Sequence, residues 1–236
     1  MSSSIQNCVS RIRHPAAAFT LVEILIAIVI LAIVMTTIMA SFNAVFSTTG
    51  QLGSSVRYYD MAKNCLERMT LDLEAMTISE PPVYKPPNMD SAPDAYRVVG
   101  SETDVGGTSF ATLRFTSRAH VAFEKSVRQG IAQIVYYVSA KNDGQPVLKR
   151  ADHLYPYPLF EERGADPVLC KHVKSLAFKF YDEQGDEFEQ WDSESGQVGY
   201  ATPTAINIVL EIGDDDRSDR FETTVRLPIE RPRIEP

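Results

Sequence analysis

The chain is short of positive charge, of closely spaced cysteines and of histidine motifs. Its 236 residues carry 23 lysines and arginines against 31 aspartates and glutamates, a formal net charge of −8. A surface with that balance repels phosphate backbones and anionic headgroups, so nucleic acid is not an expected partner. The three cysteines, Cys8, Cys65 and Cys170, lie far apart and show none of the paired spacings of a zinc or redox site. Cys65 and Cys170 leave two readings open, a disulfide in an oxidising compartment or two reduced, buried thiols, and the second is the expectation. The four histidines, His14, His120, His153 and His172, form no H-E-x-x-H or related metal pattern, and the chain holds no G-x-S-x-G, P-loop or G-x-G-x-x-G motif. No catalytic residue, no metal site and no cofactor is therefore expected.

What the chain has is one long apolar run. No residue from Ile24 to Met35 is polar, and with Thr36 and Thr37 tolerated the apolar character continues to Phe46. About 20 helical residues cross a hydrocarbon core of roughly 30 Å. Arg11 and Arg13 precede the run and the acidic body follows it, which places the body outside the cytoplasm. Glu23 sits near the start of the run, although a carboxylate at mid-depth costs roughly 2.5–3.5 kcal/mol. An ordinary secretory signal has its small-residue cleavage site after the apolar run, whereas here Ala16-Ala17-Ala18 lies before it. A cut after Ala40 and a plain uncleaved anchor are competing readings, and neither accounts for Glu23.

Ala18 followed by Phe19-Thr20-Leu21-Val22-Glu23 and a long apolar helix resembles the class III signal of type IV pilins and type II secretion pseudopilins. That resemblance implies cleavage between Ala18 and Phe19 by a membrane prepilin peptidase on the cytoplasmic side, followed by N-methylation of Phe19. The family usually has Gly before the cut, and Ala18, with the next smallest side chain, is expected to fit the same narrow subsite. Cleavage would leave an amine four residues from Glu23, on the same helix face. A carboxylate there also complements the helix dipole. In the family the equivalent Glu is thought to meet the terminal amine of a neighbouring subunit during assembly, so Glu23 takes an assembly role by resemblance. A single chain could also partly satisfy the pair by itself.

Past Phe46 the apolar residues Leu52, Val56, Tyr59, Ala62, Leu66, Met69, Leu73 and Met76 recur at intervals of three and four. The opposite side carries Arg57, Asp60, Lys63, Glu67, Arg68 and Asp72, and the reading is an amphipathic helix packed on a domain. Glycines in Thr48–Gly53 predict a bend or weak point, and Pro81-Pro82 is expected to end the helix. Residues 80–95 are proline-rich and read as an irregular connector. Beyond them period-two patterns predict strands at Phe110–Thr116, Gln133–Val138, Leu176–Tyr181, Ala205–Ile212 and Phe221–Leu227, with a shorter candidate at Pro146–Arg150. Gly213–Asp219 fits a hairpin loop, read as a solvated acidic turn rather than a calcium site. Trp191 reads as a core residue, and the prolines after Pro228 suggest a loose tail.

Val147–Arg150, Val173–Asp182, Trp191 and Pro203–Ile212 resemble the C-terminal half of the J-type minor pseudopilin of type II secretion. The fold class expected is α+β and pilin-like, a long N-terminal helix packed on mostly antiparallel β-sheets. The expected organisation is a leader at 1–18, a transmembrane helix at 19–46, its amphipathic continuation at 47–80, a β-rich periplasmic domain at 81–227 and an extended tail at 228–236. The resemblance implies a subunit of the pseudopilus tip, anchored once in the bacterial inner membrane. Its implied partners are I-, K- and H-type minor pseudopilins, the major pseudopilin, the prepilin peptidase and the inner-membrane assembly platform. The alternatives are a minor pilin of a type IV pilus and, more remotely, a membrane-anchored periplasmic enzyme.

Overall fold

A computed structural model describes residues 20–88, 91–121, 129–140, 144–214 and 217–234, without the side chains of residues 44–55. The chain divides into two units at Gly53/Ser54. Helix α1, Leu21–Glu74, is helical in backbone throughout, including the Thr48–Gly53 stretch where a weak point is expected. Among the described residues eleven strands follow: β1 (Met76–Thr77), β2 (Val99–Val105), β3 (Thr108–Ser117), β4 (Ala132–Ala140), β5 (Pro146–Leu154), β6 (Val168–Lys171), β7 (Val173–Tyr181), β8 (Glu187–Phe188), β9 (Trp191–Asp192), β10 (Ala205–Gly213) and β11 (Ser218–Arg226). The architecture is α+β.

Two antiparallel sheets form. The larger runs β6-β5-β4-β3-β2-β9, with β1 also on β3, and the smaller runs β11-β10-β7-β8. Inward residues from both sheets, such as Phe115, Ile134, Phe180 and Ile208, meet Ala62, Met69 and Leu73 of α1 in one core. Alternation drives this arrangement, because successive strand side chains point to opposite faces, and β4 and β5 also bury Val135, Tyr137 and Ala151 on their other face, with Phe160 packed against them.

The helix ends at Glu74, six residues before the expected end at residue 80. Pro81-Pro82 does not stop it. Met76 and Thr77 instead pair with Ser117 and Thr116 on β3, and the Ser117 hydroxyl donates to the Asp72 carbonyl at 2.8 Å. Sheet pairing satisfies the backbone groups that another helical turn would have used.

The expected helix stripe is also rotated. Val56 and Tyr59 are 59% and 57% exposed, while the buried row is Ala62, Cys65, Met69, Leu73 and Met76, with Asp72 beside it at 0%. Asp72, expected on the solvent side, is fully enclosed. The i,i+4 partnerships are present: Lys63 and Glu67 lie 3.8 Å apart at the surface, and Arg68 bonds Asp72.

All five main predicted strands and the Pro146 candidate are present, the latter extended to Leu154. Strands β2 and β6 and the two-residue strands β1, β8 and β9 are additions. Strand β2, VGSETDV, lacks alternation but is held by a tight turn at Gly106 and Gly107, whose φ values of 65° and 86° only glycine adopts freely.

The Tyr-Asp, Trp and Pro-x-Ala segments meet at one corner. Asp182 Oδ1 accepts the Gln184 and Asp186 N–H groups, Thr204 Oγ1 donates to the Tyr181 carbonyl, and the Trp191 indole donates to the Ala201 carbonyl at 3.1 Å. Trp191 is 2% exposed and packs edge-on against Phe188.

The C-terminal segment, expected to trail, is docked. Arg231 is 1% exposed, lies 3.3 Å over the Tyr84 ring, and donates to the carbonyls of Tyr200, Ser79 and Ser193 at 2.7–2.9 Å. Its backbone exchanges bonds with Thr202, and Ile234 N–H donates to Gly199. A buried guanidinium matched with carbonyls and an aromatic face outweighs the local preference of three prolines for a free coil.

Candidate functional site

The first turn of α1 carries the features that the sequence singled out. Ala18 and Phe19 lie outside the described residues. The Glu23 N–H donates to the Thr20 hydroxyl at 3.3 Å and to its carbonyl at 3.1 Å. Thr20 is thus the N-cap, and Thr20-Leu21-Val22-Glu23 has the spacing of a capping box, in which the residue three past the cap is an acid. Glu23 belongs to this cap as well as to the dipole complement, and the T-x-x-E spacing before an apolar run was the sequence signal for it.

From Leu21 to Asn43 the helix is apolar enough to cross a membrane and none of it is buried within the chain. Twenty-three residues rise about 35 Å, enough for a hydrocarbon core of roughly 30 Å. The hydroxyl side chains inside it are satisfied by the helix backbone. Thr36 donates to the carbonyls of Ala32 and Ile33, Thr37 to Val34 at 2.8 Å, and Ser41 to Thr37 at 2.9 Å. In lipid no water would complete these bonds, so back-bonding to the preceding turn is what makes the hydroxyls tolerable.

A second apolar surface lies on the folded domain. The outward side of α1 and strand β11 enclose a groove of about 520 Å³, floored by Tyr59, Leu66, Leu71 and Phe221. Tyr59 and Phe221 face each other with ring centroids 6.1 Å apart. Strand β11 is an edge of its sheet, so this groove borders the open side of a ladder.

The densest group of ionisable side chains is buried instead. Asp72 Oδ2 accepts from Arg150 Nε at 2.6 Å and from the Tyr136 hydroxyl, and Oδ1 accepts from Arg68 and from Arg150 Nη2 at 3.2 Å. Asp152 accepts from Arg150 Nη1 at 2.5 Å, from the Val121 N–H at 3.0 Å and from the His120 ring at 2.6 Å. Burial alone would raise the Asp152 pKa, but the bonds from Val121, His120 and Arg150 hold it below the ordinary carboxylate value. Burial works against the Arg150 charge, and the two aspartates more than offset it, so its pKa lies above the usual guanidinium value. Burial, with the Asp72 carboxylate second, pushes the Tyr136 phenol well up. Each carboxylate oxygen is already engaged, and none of these residues lines the α1–β11 groove. The group acts as an internal clamp. Sequence periodicity missed it by placing Asp72 on the water side.

Among the described residues no three His, Cys, Asp or Glu side chains group as metal ligands. The acidic loop lies partly outside the described residues; in it Asp214 accepts from Tyr58 and from the Arg217 N–H.

The model of the family "Type II secretion system (T2SS), protein J" matches residues 40–223, and that of the prokaryotic N-terminal methylation motif matches residues 13–39. No curated protein matches. Among solved structures, a type IV-like pilin from Thermus thermophilus is similar at 8% identity, with a TM-score of 0.38, over 73% of this chain and 97% of that one. So loose a likeness bears on nothing further.

Proposed function

The chain belongs to the protein J family of the type II secretion system and is a minor pseudopilin, and on that premise we propose that it sits at the pseudopilus tip and helps initiate pseudopilus assembly. It is a membrane-anchored component of the system. In our reading the leader ends at Ala18, Phe19 becomes the methylated N-terminus, Leu21–Asn43 crosses the inner membrane and the β-rich domain stands in the periplasm. The observation that carries this is the wholly unburied apolar helix with one acid, Glu23, in its first turn.

In the bilayer lipid covers the apolar side chains, and in a filament the corresponding helices of neighbouring subunits would cover them instead. Glu23 is costly in the first setting unless paired and useful in the second, where the neighbour's terminal amine neutralises it. We assign the partners as I-, K- and H-type minor pseudopilins and the major pseudopilin, with the prepilin peptidase acting on the leader and the inner-membrane assembly platform receiving the subunit. The work is assembly in support of the export of folded proteins, and no bond chemistry is assigned to the chain.

The test is a Glu23→Ala variant in the complete secretion system. Leader cleavage should persist, with methyl-Phe19 seen by mass spectrometry, while co-purification with the other tip subunits and export of secreted protein both fall. Normal co-purification would refute the role of Glu23. Intact export on deletion of the chain, with loss of twitching or DNA uptake, would refute the tip assignment in favour of a type IV pilus.

A further inference from the structure

Helix α1 and strand β6 touch through two sulfur-bearing positions. The Lys171 N–H, on the outer edge of β6, points at Met61 Sδ at 3.4 Å. Cys65 is one helical turn beyond Met61, and Cys170 immediately precedes Lys171. Both cysteines are 1% exposed free thiols in the same core cluster, with Cys65 Sγ 4.0 Å from Met69 Sδ and Cys170 Sγ 3.7 Å from the Lys171 carbonyl. Strand β6 needs such a tie. It has four residues, forms the edge of the larger sheet, and pairs with β5 at three positions interrupted by a register shift at Leu148/Lys149.

We propose that Cys65 and Cys170 form a disulfide in the mature protein, fastening β6 to α1. The proposal rests on the periplasmic placement of the domain, since oxidising compartments are where such bonds persist. The oxidant is a disulfide of the thiol–disulfide exchange class. A thiolate of the chain attacks it, the second thiol resolves the mixed disulfide, and the products are one Cys65–Cys170 bond and two oxidant thiols that carry away both hydrogens and both electrons. Exchange takes place during folding. In the closed fold the neighbouring Cys170 side chain and burial push the Cys65 thiol far up, so a pair that closes reduced has no thiolate with which to react. The bond would close a loop on the order of 100 residues, which constrains the unfolded chain strongly.

The full chain in its native membrane provides the test. Cells are acid-quenched and denatured, free thiols are alkylated, and Cys65 and Cys170 are followed by peptide mass before and after reduction. Protease access to the domain in spheroplasts is measured in parallel. The expected result is a protease-accessible domain and a Cys65–Cys170 cross-linked peptide that takes up alkylating agent only after reduction. An accessible domain with both thiols alkylated without reductant overturns the disulfide and leaves the placement standing. A shielded domain with the cross-link overturns the placement and supports the disulfide, and a shielded domain with free thiols overturns both. In detergent-purified chain, reduction should lower the melting midpoint by about 5 °C or more and leave that of Cys170→Ala unchanged. Equal midpoints in the unsubstituted chain, oxidised and reduced, overturn the fastening role.

Discussion

Asp72 on the helix and Arg150 on β5 meet inside the core by two hydrogen bonds, Nε to Oδ2 at 2.6 Å and Nη2 to Oδ1 at 3.2 Å. The pair joins helix to sheet where neither group sees water. Removing one partner strands the other. Asp72→Ala should therefore cost about 3–5 kcal/mol of unfolding free energy, read by denaturant titration. Glu67→Ala, five residues away in an exposed pair, should stay within about 0.5 kcal/mol.

Asp152 gives the same cluster a pH signature. Its pKa is lower folded than unfolded, so its contribution is complete above the unfolded value of about 3.9 and is lost as pH falls through the folded value. The stability difference between the parent chain and Asp152→Asn, from unfolding titrations at several pH values, should shrink as pH falls below about 4. A difference that instead grew on acidification would contradict the lowered pKa.

Arg231 should matter out of proportion to its place near the end of the chain. Arg231→Ala leaves the carbonyls of Ser79, Ser193 and Tyr200 without their donor and uncovers Tyr84. A loss of about 2–4 kcal/mol is expected, together with faster proteolysis of the last residues. Arg226→Ala, exposed at the end of β11, serves as the control and should be nearly neutral.

Gly100 is a packing position. A Cβ there would come within 2.0 Å of the Phe180 ring, which is fully buried beside Trp191. Gly100→Ala should destabilise by about 1–3 kcal/mol by thermal melting, and Phe180→Leu in the same chain should recover part of the loss.

With the proposed cut between Ala18 and Phe19, processing should depend on the residue before it. Ala18→Gly should be processed at least as fully as the parent, and a bulky residue such as Phe or Leu at Ala18 should leave precursor with the leader attached, seen by intact mass. Unchanged processing with the bulky residue would refute the narrow subsite.

The sequence is most legible where one physical rule acts alone. The apolar run is set by hydropathy, and the strands from Phe110 to Val225 are set by alternation. It is least legible where tertiary contacts override local preference. Asp72 reads as solvated because periodicity counts charge as outward, and nothing near it in sequence announces Arg150, which arrives from 78 positions away. Arg231 is hidden for the same reason, since a proline-rich end looks unstructured until the carbonyls it meets are brought together. Strand β2 lacks an alternating face, although the Gly106-Gly107 turn was a usable hairpin signal. In the candidate site, the apolar span and Glu23 were visible from the outset, and the Thr20 cap was present in the T-x-x-E spacing. The α1–β11 groove was not visible, because its walls lie far apart in the chain.

The two-residue strand that follows the helix has a mechanical consequence. Met76 and Thr77 are bonded to β3 directly after the last helical turn, and the Asp72 clamp and the Ser117 hydroxyl grip that same turn. A tug along the helix axis therefore reaches the sheet as shear on several bonds loaded together, so none is peeled away singly. Under load the seam between that turn and the sheet should therefore yield as a unit rather than bond by bond.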